Sequence, residues 1–449
     1  MALRSDASED QQKSKLDLTS EQLPAGWRAY VRAIGPGLIT GASDDDPSGI
    51  GTYSQAGSQF GYRLLWTSLL TFPLMAAVQE ICDRTALATG TGLGELAAKA
   101  FTRSWRAIVG VLLVALLVAN MLNISADVVA IGSGMHLLHA GPTVVWSLLA
   151  GALITVVLLS GSFPFIARVF KVLCAALLSY IAVLFMAHPR WHAIVHNTFM
   201  PHVEMSKAYL GLLIAVLGTT ISPYLFFWQS AHRLEEMRDE PIGGRRAVPL
   251  RLRQRDEAQQ KERMSRLDVF SGMLFSNVVM FSVIAATAAT LGAHGSHTIS
   301  SASEAANALR PFAGRFASAV FALGFIGSGM LAVPVLAGSG SVGMAGLLGK
   351  RWGFSQSVRK APVFYALVFL GTAGGTLLSA AHVDPIKLLV YVAIVNGVAA
   401  APFLILVMVV ANRRELMGEY RNGSLANVLG WGTAALMTAA AIALLVTSL

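Results

Sequence analysis

Gly35-Pro36-Gly37-Leu38-Ile39-Thr40-Gly41-Ala42-Ser43-Asp44-Asp45-Asp46-Pro47-Ser48-Gly49-Ile50-Gly51-Thr52-Tyr53 decides how the chain folds. The apolar runs on either side of the three carboxylates, residues 34–42 and 50–60, are each too short to cross a bilayer, which takes about 20 residues. Together they make one crossing of ordinary length. Three successive acids followed by proline and several glycines cannot continue as a regular lipid-facing helix, because proline removes a backbone donor and glycine costs helix stability. The helix is expected to break at Asp44 to Asp46. Interrupted backbone at membrane depth is tolerated only where it is buried in protein or lines a cavity.

The rest of the chain agrees that this is a membrane protein. Of 449 residues, 54% are hydrophobic and only 13% charged, with a mean hydropathy of +0.59, which excludes disorder, collagen and an ordinary soluble globule. Apolar runs predict eleven transmembrane helices near 34–57, 61–88, 104–137, 142–160, 168–186, 207–230, 268–292, 316–347, 362–381, 386–411 and 426–447, an all-α integral membrane fold in one domain over 34–449. Residues 1–33 read as a disordered cytoplasmic tail, since they are polar and lack the apolar core of a signal peptide. Residues 231–267 read as a solvated cytoplasmic loop, with the basic stretch from Arg251 to Arg266 as a possible short helix near the anionic inner leaflet.

Alternating the connections places 27 Lys and Arg on the side of the amino terminus and 6 on the other, with Arg84 inside the second span. That bias predicts a cell (inner) membrane protein with a cytoplasmic amino terminus and a carboxyl terminus outside. It also explains the net charge of +9 without nucleic acid. Cys82 and Cys174 both lie in apolar stretches and form no C-x-x-C pair, so they read as packing residues.

The sixth span carries a second interruption, Gly218-Thr219-Thr220-Ile221-Ser222-Pro223-Tyr224, where proline after glycine and two threonines invites unwinding. Interrupted spans one and six fall at matching places in two five-helix halves. That is the arrangement of inverted-repeat transporters, whose midplane sites use unwound carbonyls as cation ligands.

The run Gly35-Pro36-Gly37, then Asp46-Pro47, then Ala56-Gly57-Ser58-Gln59-Phe60-Gly61-Tyr62 and Leu64-Leu65-Trp66 resembles the first two helices of the NRAMP family of divalent metal transporters. Gly218 to Ser230 resembles that family's sixth helix. The resemblance implies a leucine-transporter-type inverted repeat (5+5) with broken helices 1 and 6, and alternating access to a divalent cation bound between them. It places Asp46 and the Thr219 carbonyl among the metal ligands. The chain departs from the family twice: Asp-Pro-Gly-Asn becomes Asp46-Pro47-Ser48-Gly49, and Met-Pro-His becomes Ser222-Pro223-Tyr224, with Ser222 standing in place of the thioether.

A soft sulfur favours transition metals, so carboxylate, hydroxyl and carbonyl oxygens in its place move the preference toward hard cations. Mg²⁺ or Mn²⁺ is expected as substrate, with Asp45 beside Asp46, in keeping with the magnesium-transporting branch of the family. Asn396 in the tenth span stands where the family completes the occluded site, or else holds a helix-to-helix hydrogen bond. Ionisable residues at membrane depth need a reason to be there. Asp127 is the best candidate for coupling, with Glu80, Asp83 and Tyr224 as further coupling or gating candidates, and the sequence leaves proton coupling or uncoupled flow open. Glu80, Asp83 and Arg84 also fit an ordinary helix-end ion pair.

The alternative, an ion-coupled carrier of amino-acid-like solutes on the same fold, needs a helix end that attracts a carboxylate, and three acids crowd this one. No nucleophile and base pairing or His-Glu-x-x-His motif points to an enzyme. Nothing calls for a cofactor or an obligatory protein partner beyond the lipid bilayer. His188, His192 and His196, four residues apart, would share one face of a helix and read either as an outer metal-gathering cluster or as interfacial side chains.

Overall fold

The computed structural model describes residues 35–160, 163–204, 206–240, 242–243, 246–292, 317–381 and 385–448, so the tail expected at 1–33 lies outside the described residues. Among them every regular element is a helix. In chain order they are α1 (Pro36–Asp44), α2 (Pro47–Phe60), α3 (Trp66–Thr89), α4 (Leu93–Ala100), α5 (Arg103–Leu137), α6 (Thr143–Leu159), α7 (Phe163–Met186) and α8 (Trp191–Phe199). There follow α9 (Lys207–Thr220), α10 (Pro223–Asp239), α11 (Arg255–Thr290), α12 (Ala317–Leu347), α13 (Pro362–Leu378), α14 (Pro385–Asn412), α15 (Arg414–Met417) and α16 (Ser424–Ser448).

Each apolar run read from the sequence is helical, but the crossings are not all complete by length and composition. Six qualify alone, counting α9 with α10, and up to eight if two pairs bent by 109° and 114° are each one span. That count covers the described residues only, and part of its difference from eleven has local causes. α6 and α13 have only 17 residues each, and the first crossing is cut in two at the acids. A lipid-facing surface is evident on α5, where Trp105, Ile108, Val111, Val114 and Val118 are each about half exposed or more and recur at helical spacing. Such a stripe would be costly in water.

The region read as a loop over 231–267 is largely helical. α10 runs on to Asp239 with Ala231, Arg233, Leu234 and Glu235 buried, and α11 begins at Arg255, so the connection shrinks to 240–254. The polar residues there misled because they pair with one another inside the protein, as described below. The three histidines do not share a face either: His188 lies in the turn before α8, at φ +45°, and only His192 and His196 stand one turn apart on that helix.

α1 lies against α11 with almost nothing between the two backbones. A Cβ added at Gly41 would fall 2.1 Å from the Gly272 carbonyl oxygen, and one at Gly272 would fall 2.0 Å from that of Gly37. α9 meets α14 the same way, since a Cβ at Gly218 would lie 2.3 Å from the Ala393 carbonyl and 2.6 Å from the Gly397 nitrogen. Small residues let membrane helices approach this closely. These two contacts fix where the interrupted helices stand relative to their neighbours.

Candidate metal-ion site

Both expected breaks are present, and each has a local cause. α1 ends at Asp44, Asp45 is its C-cap at φ −86°, ψ 48°, and Asp46 is the extended N-cap of α2 with Pro47 in the first turn. Proline suits a first helical turn, where its missing N–H has no partner to lose. In the second break α9 ends at Thr220 and α10 opens on Pro223, with Ser222 as its N-cap residue.

Asp46 is held at every oxygen. Its Oδ1 accepts from the Ser48 hydroxyl at 2.5 Å and from the Gly49 N–H at 2.8 Å, the arrangement of an N-cap. Its Oδ2 accepts from the Tyr224 hydroxyl at 3.2 Å, and the same hydroxyl lies 3.2 Å from the Ser43 carbonyl oxygen. Tyr224 thus stitches the start of α10 to both sides of the first break. Thr219 comes to the same place: its Oγ1 is 3.5 Å from the Ser48 hydroxyl and 3.2 Å from where a Cβ on Gly49 would sit. The absence of a side chain at Gly49, where the family motif has asparagine, leaves room for the two broken helices to touch.

Ser222 does not present its proton to the junction. Its hydroxyl donates back to the Gly218 carbonyl at 2.8 Å and the Thr219 carbonyl at 3.0 Å, which ties up two carbonyls that the break sets free. The oxygen lone pairs of both groups can still face a cation, because a hydroxyl that donates retains acceptor capacity and a carbonyl has two lone pairs.

The unengaged oxygens belong to the neighbours. Asp44 accepts from Ser276 of α11 at 2.8 Å through Oδ2. Its Oδ1 and both oxygens of Asp45 are buried with no hydrogen-bond partner among the described residues. Asn396 is fully buried on α14, next to the Gly397 that meets α9, and both its amide atoms are likewise without a partner. Asp127 on α5 is buried with both oxygens unpartnered. Buried polar groups are normally satisfied, so each of these orphaned groups is a candidate for completion by a ligand or by water. Among the described residues no three His, Cys, Asp or Glu side chains converge on one point. A cation here would be held by one or two carboxylates with neutral oxygens and retained water, a donor set suited to hard ions.

Two of the gating candidates, Glu80 and Asp83, lie away from the two breaks, in ion pairs at the other end of α1. Glu80 pairs with Arg84 at 2.9 Å, one turn along α3, and with Arg266 at 3.4 Å. Asp83 instead accepts from Arg233 Nε and Gln229 Nε2, each at 2.7 Å, and from the Ser265 hydroxyl. Arg233, buried on α10, reaches Asp268 at 2.9 Å and also pairs with Glu236. Asp268 in turn accepts from the N–H groups of Gly35 at 2.9 Å and Gly37 at 2.8 Å. One buried network therefore joins α3, α10 and α11 to the start of α1. Sequence reading missed Ser48, Ser276, Arg233 and Asp268. Ser48 stood inside the decisive stretch. The other three lie far from it in sequence.

Residues 37–447 match the family model described as natural resistance-associated macrophage protein-like, Nramp. The chain is 23% identical over 406 residues to a divalent metal cation transporter MntH of Caldanaerobacter subterraneus, covering 90% of both chains. It is 25% identical over 438 residues to a protein of the same name from Mycobacterium leprae, covering 95% of this chain and 93% of the relative. In structure it is similar to a manganese transporter of Eremococcus coleocola, with a TM-score of 0.72 at 18% identity over 94% of this chain and 90% of the other. The fold is also similar to that of MHP1, a nucleobase-cation-symport-1 family transporter, with a TM-score of 0.58 at 14% identity over 92% and 91%.

Proposed function

The chain belongs to the Nramp family, and on that premise we propose that it is a membrane transporter of divalent metal cations. It is a carrier rather than an enzyme. The cation is taken at the junction of α1, α2, α9 and α10 and passed across by alternating access, with α1–α2 and α9–α10 as the first and sixth of eleven crossings in a five-plus-five inverted repeat. The amino terminus lies in the cytoplasm and the carboxyl terminus outside. The observation that carries the reading is the pair of unpartnered, fully buried oxygens of Asp45 beside the unpartnered Oδ1 of Asp44.

Mg²⁺ or Mn²⁺ is the favoured substrate. Asp45, Asp44, Asp46, the Thr219 carbonyl, the Ser222 hydroxyl and Asn396 offer only oxygen ligands, with no thioether or imidazole among them, and oxygen donors suit these ions. The relatives named for manganese or divalent metals support the class of cargo. An organic carboxylate is disfavoured, because three buried acids would repel it.

Uptake into proteoliposomes tests the proposal, with Mg²⁺, Mn²⁺ and Ca²⁺ compared for wild type and Asp45→Asn. Saturable uptake of Mg²⁺ or Mn²⁺ that Asp45→Asn abolishes is the expected result. Uptake of none of the three ions, or rates unchanged by the substitution, would overturn it.

A further inference from the structure

On the face that carries the 240–254 connection, a cleft of about 760 Å³ opens between α4, the first turns of α5 and the segment after α12. Its lining is strongly one-signed: Lys99, Arg106, Arg238, Arg246, Lys350 and Arg351 face a single acid, Glu95. That acid is already committed, accepting from the Trp352 indole N–H at 2.7 Å. Arg238 is engaged as well, pairing with Glu235 at 3.3 Å and lying over the Trp352 ring at 4.3 Å. Arg106 spends one N–H on the Phe101 carbonyl. Among the described residues Lys99, Arg246, Lys350 and Arg351 have no carboxylate partner. Cations converging on a concave site without counter-charge mark it for an anion.

We propose that this cleft binds the phosphate headgroup of an anionic phospholipid of the cytoplasmic leaflet. The rim distinguishes a lipid from a soluble anion. Trp105 and Ile108, 57% and 49% exposed, flank Arg106 at the start of the lipid-facing stripe of α5, and Leu348, 55% exposed, precedes Gly349 and Lys350 on the opposite lip. A basic pocket bordered by tryptophan and aliphatic side chains at a helix end is the chemistry of headgroup level, with acyl chains continuing along Val111 and Val114. The neighbouring cleft of about 570 Å³ between α3, α11 and α16 is the internal contrast. There Arg84 and Arg266 pair with Glu80 and Glu262, and Glu419 adds a third acid against Arg255 and Arg421, so the lining carries both signs.

Native mass spectrometry of the detergent-purified full chain tests this with dioleoyl phosphatidylglycerol, dioleoyl phosphatidylcholine and inorganic phosphate as probes. Preferential retention of phosphatidylglycerol is expected. Each basic side chain near an anionic surface contributes about fivefold in affinity, so Lys350→Gln with Arg351→Gln should weaken retention roughly thirty-fold. Both residues are exposed, and a thermal unfolding scan reports whether the variant keeps its fold. Lys99→Gln, which should give about a fivefold loss, serves if it does not. Arg255→Gln with Arg421→Gln at the other cleft should leave retention unchanged. Equal retention of the two lipids, no effect of the cleft substitutions, or inorganic phosphate bound as strongly as the lipid would each overturn the proposal.

Discussion

Asp268 and Arg233 meet at 2.9 Å inside the protein, and the carboxylate of that pair also caps α1, the first of the described helices. α1 therefore begins on a charge supplied by α11 and clamped by α10, which is favourable because the amino end of a helix carries partial positive charge. Arg233 is in turn fixed to α3 through Asp83. The four elements are closed on one another at the side where α1 starts, about two and a half turns from the acids at its other end.

Asp268→Asn should loosen that closure. Removing one partner of a buried ion pair costs about 3–5 kcal/mol, because the other charge is left uncompensated. With Cys82 and Cys174 both buried, a single reporter at Thr40→Cys can be followed in inside-out vesicles with a membrane-impermeant maleimide. Labelling several-fold faster in the Asp268→Asn background is expected. Equal rates would show that the pair does not hold α1 shut.

The two central acids should separate into different roles. Asp46→Ala removes an N-cap, worth about 1 kcal/mol, and should lower the thermal unfolding temperature as well as abolish transport. Asp45→Asn removes only unpartnered buried charge. It should abolish Mn²⁺ or Mg²⁺ binding in calorimetry while leaving the unfolding temperature equal to or above that of wild type. A lower unfolding temperature for Asp45→Asn would place Asp45 in the scaffold instead.

Ser222→Met exchanges a hydroxyl that satisfies two carbonyls of α9 for a soft thioether. Competition of Cd²⁺ against Mg²⁺ during proteoliposome uptake should shift toward Cd²⁺, since sulfur selects softer metals. Identical ion profiles for the two proteins would mean that position 222 does not face the ion.

Asp127→Asn fixes the uncharged form of a side chain buried near Asp46. Cation binding should persist, whereas any acceleration of uptake by an inward proton gradient should disappear, because the group proposed to carry the proton is gone. A gradient response identical to that of wild type would remove Asp127 from the coupling path.

Both breaks were legible in the sequence because their causes are local: carboxylates and proline at 44–47, glycine and proline at 218–223. The same locality made Asp46 visible and hid its partners. Tyr224 was read as a departure from a motif, yet it is the hydroxyl that joins the two breaks. The network around Arg233 was not legible, since it unites residues 150 and 35 positions apart, and polar spacing in one dimension cannot tell a solvated turn from a buried ion cluster. The loop reading of residues 231–239 failed for that reason, whereas the helix offered for Arg251 to Arg266 is present from Arg255 as the start of α11. Ser276 reaches Asp44 across 232 positions, with no repeating pattern to announce it.

Asp44, Asp45, Asp46 and Asp127 are all fully buried, and none is matched by a Lys, Arg or His ion pair among the described residues. Negative charge held this way is tolerable while a doubly positive passenger sits among it and punishing once the passenger leaves. On the proposed function, the slow leg of the cycle is expected to be the homeward one, in which an unladen carrier picks up protons or a fresh ion before it turns round. A carrier of that kind should run faster as an exchanger than as a one-way pump, with metal on the far side speeding the trip back.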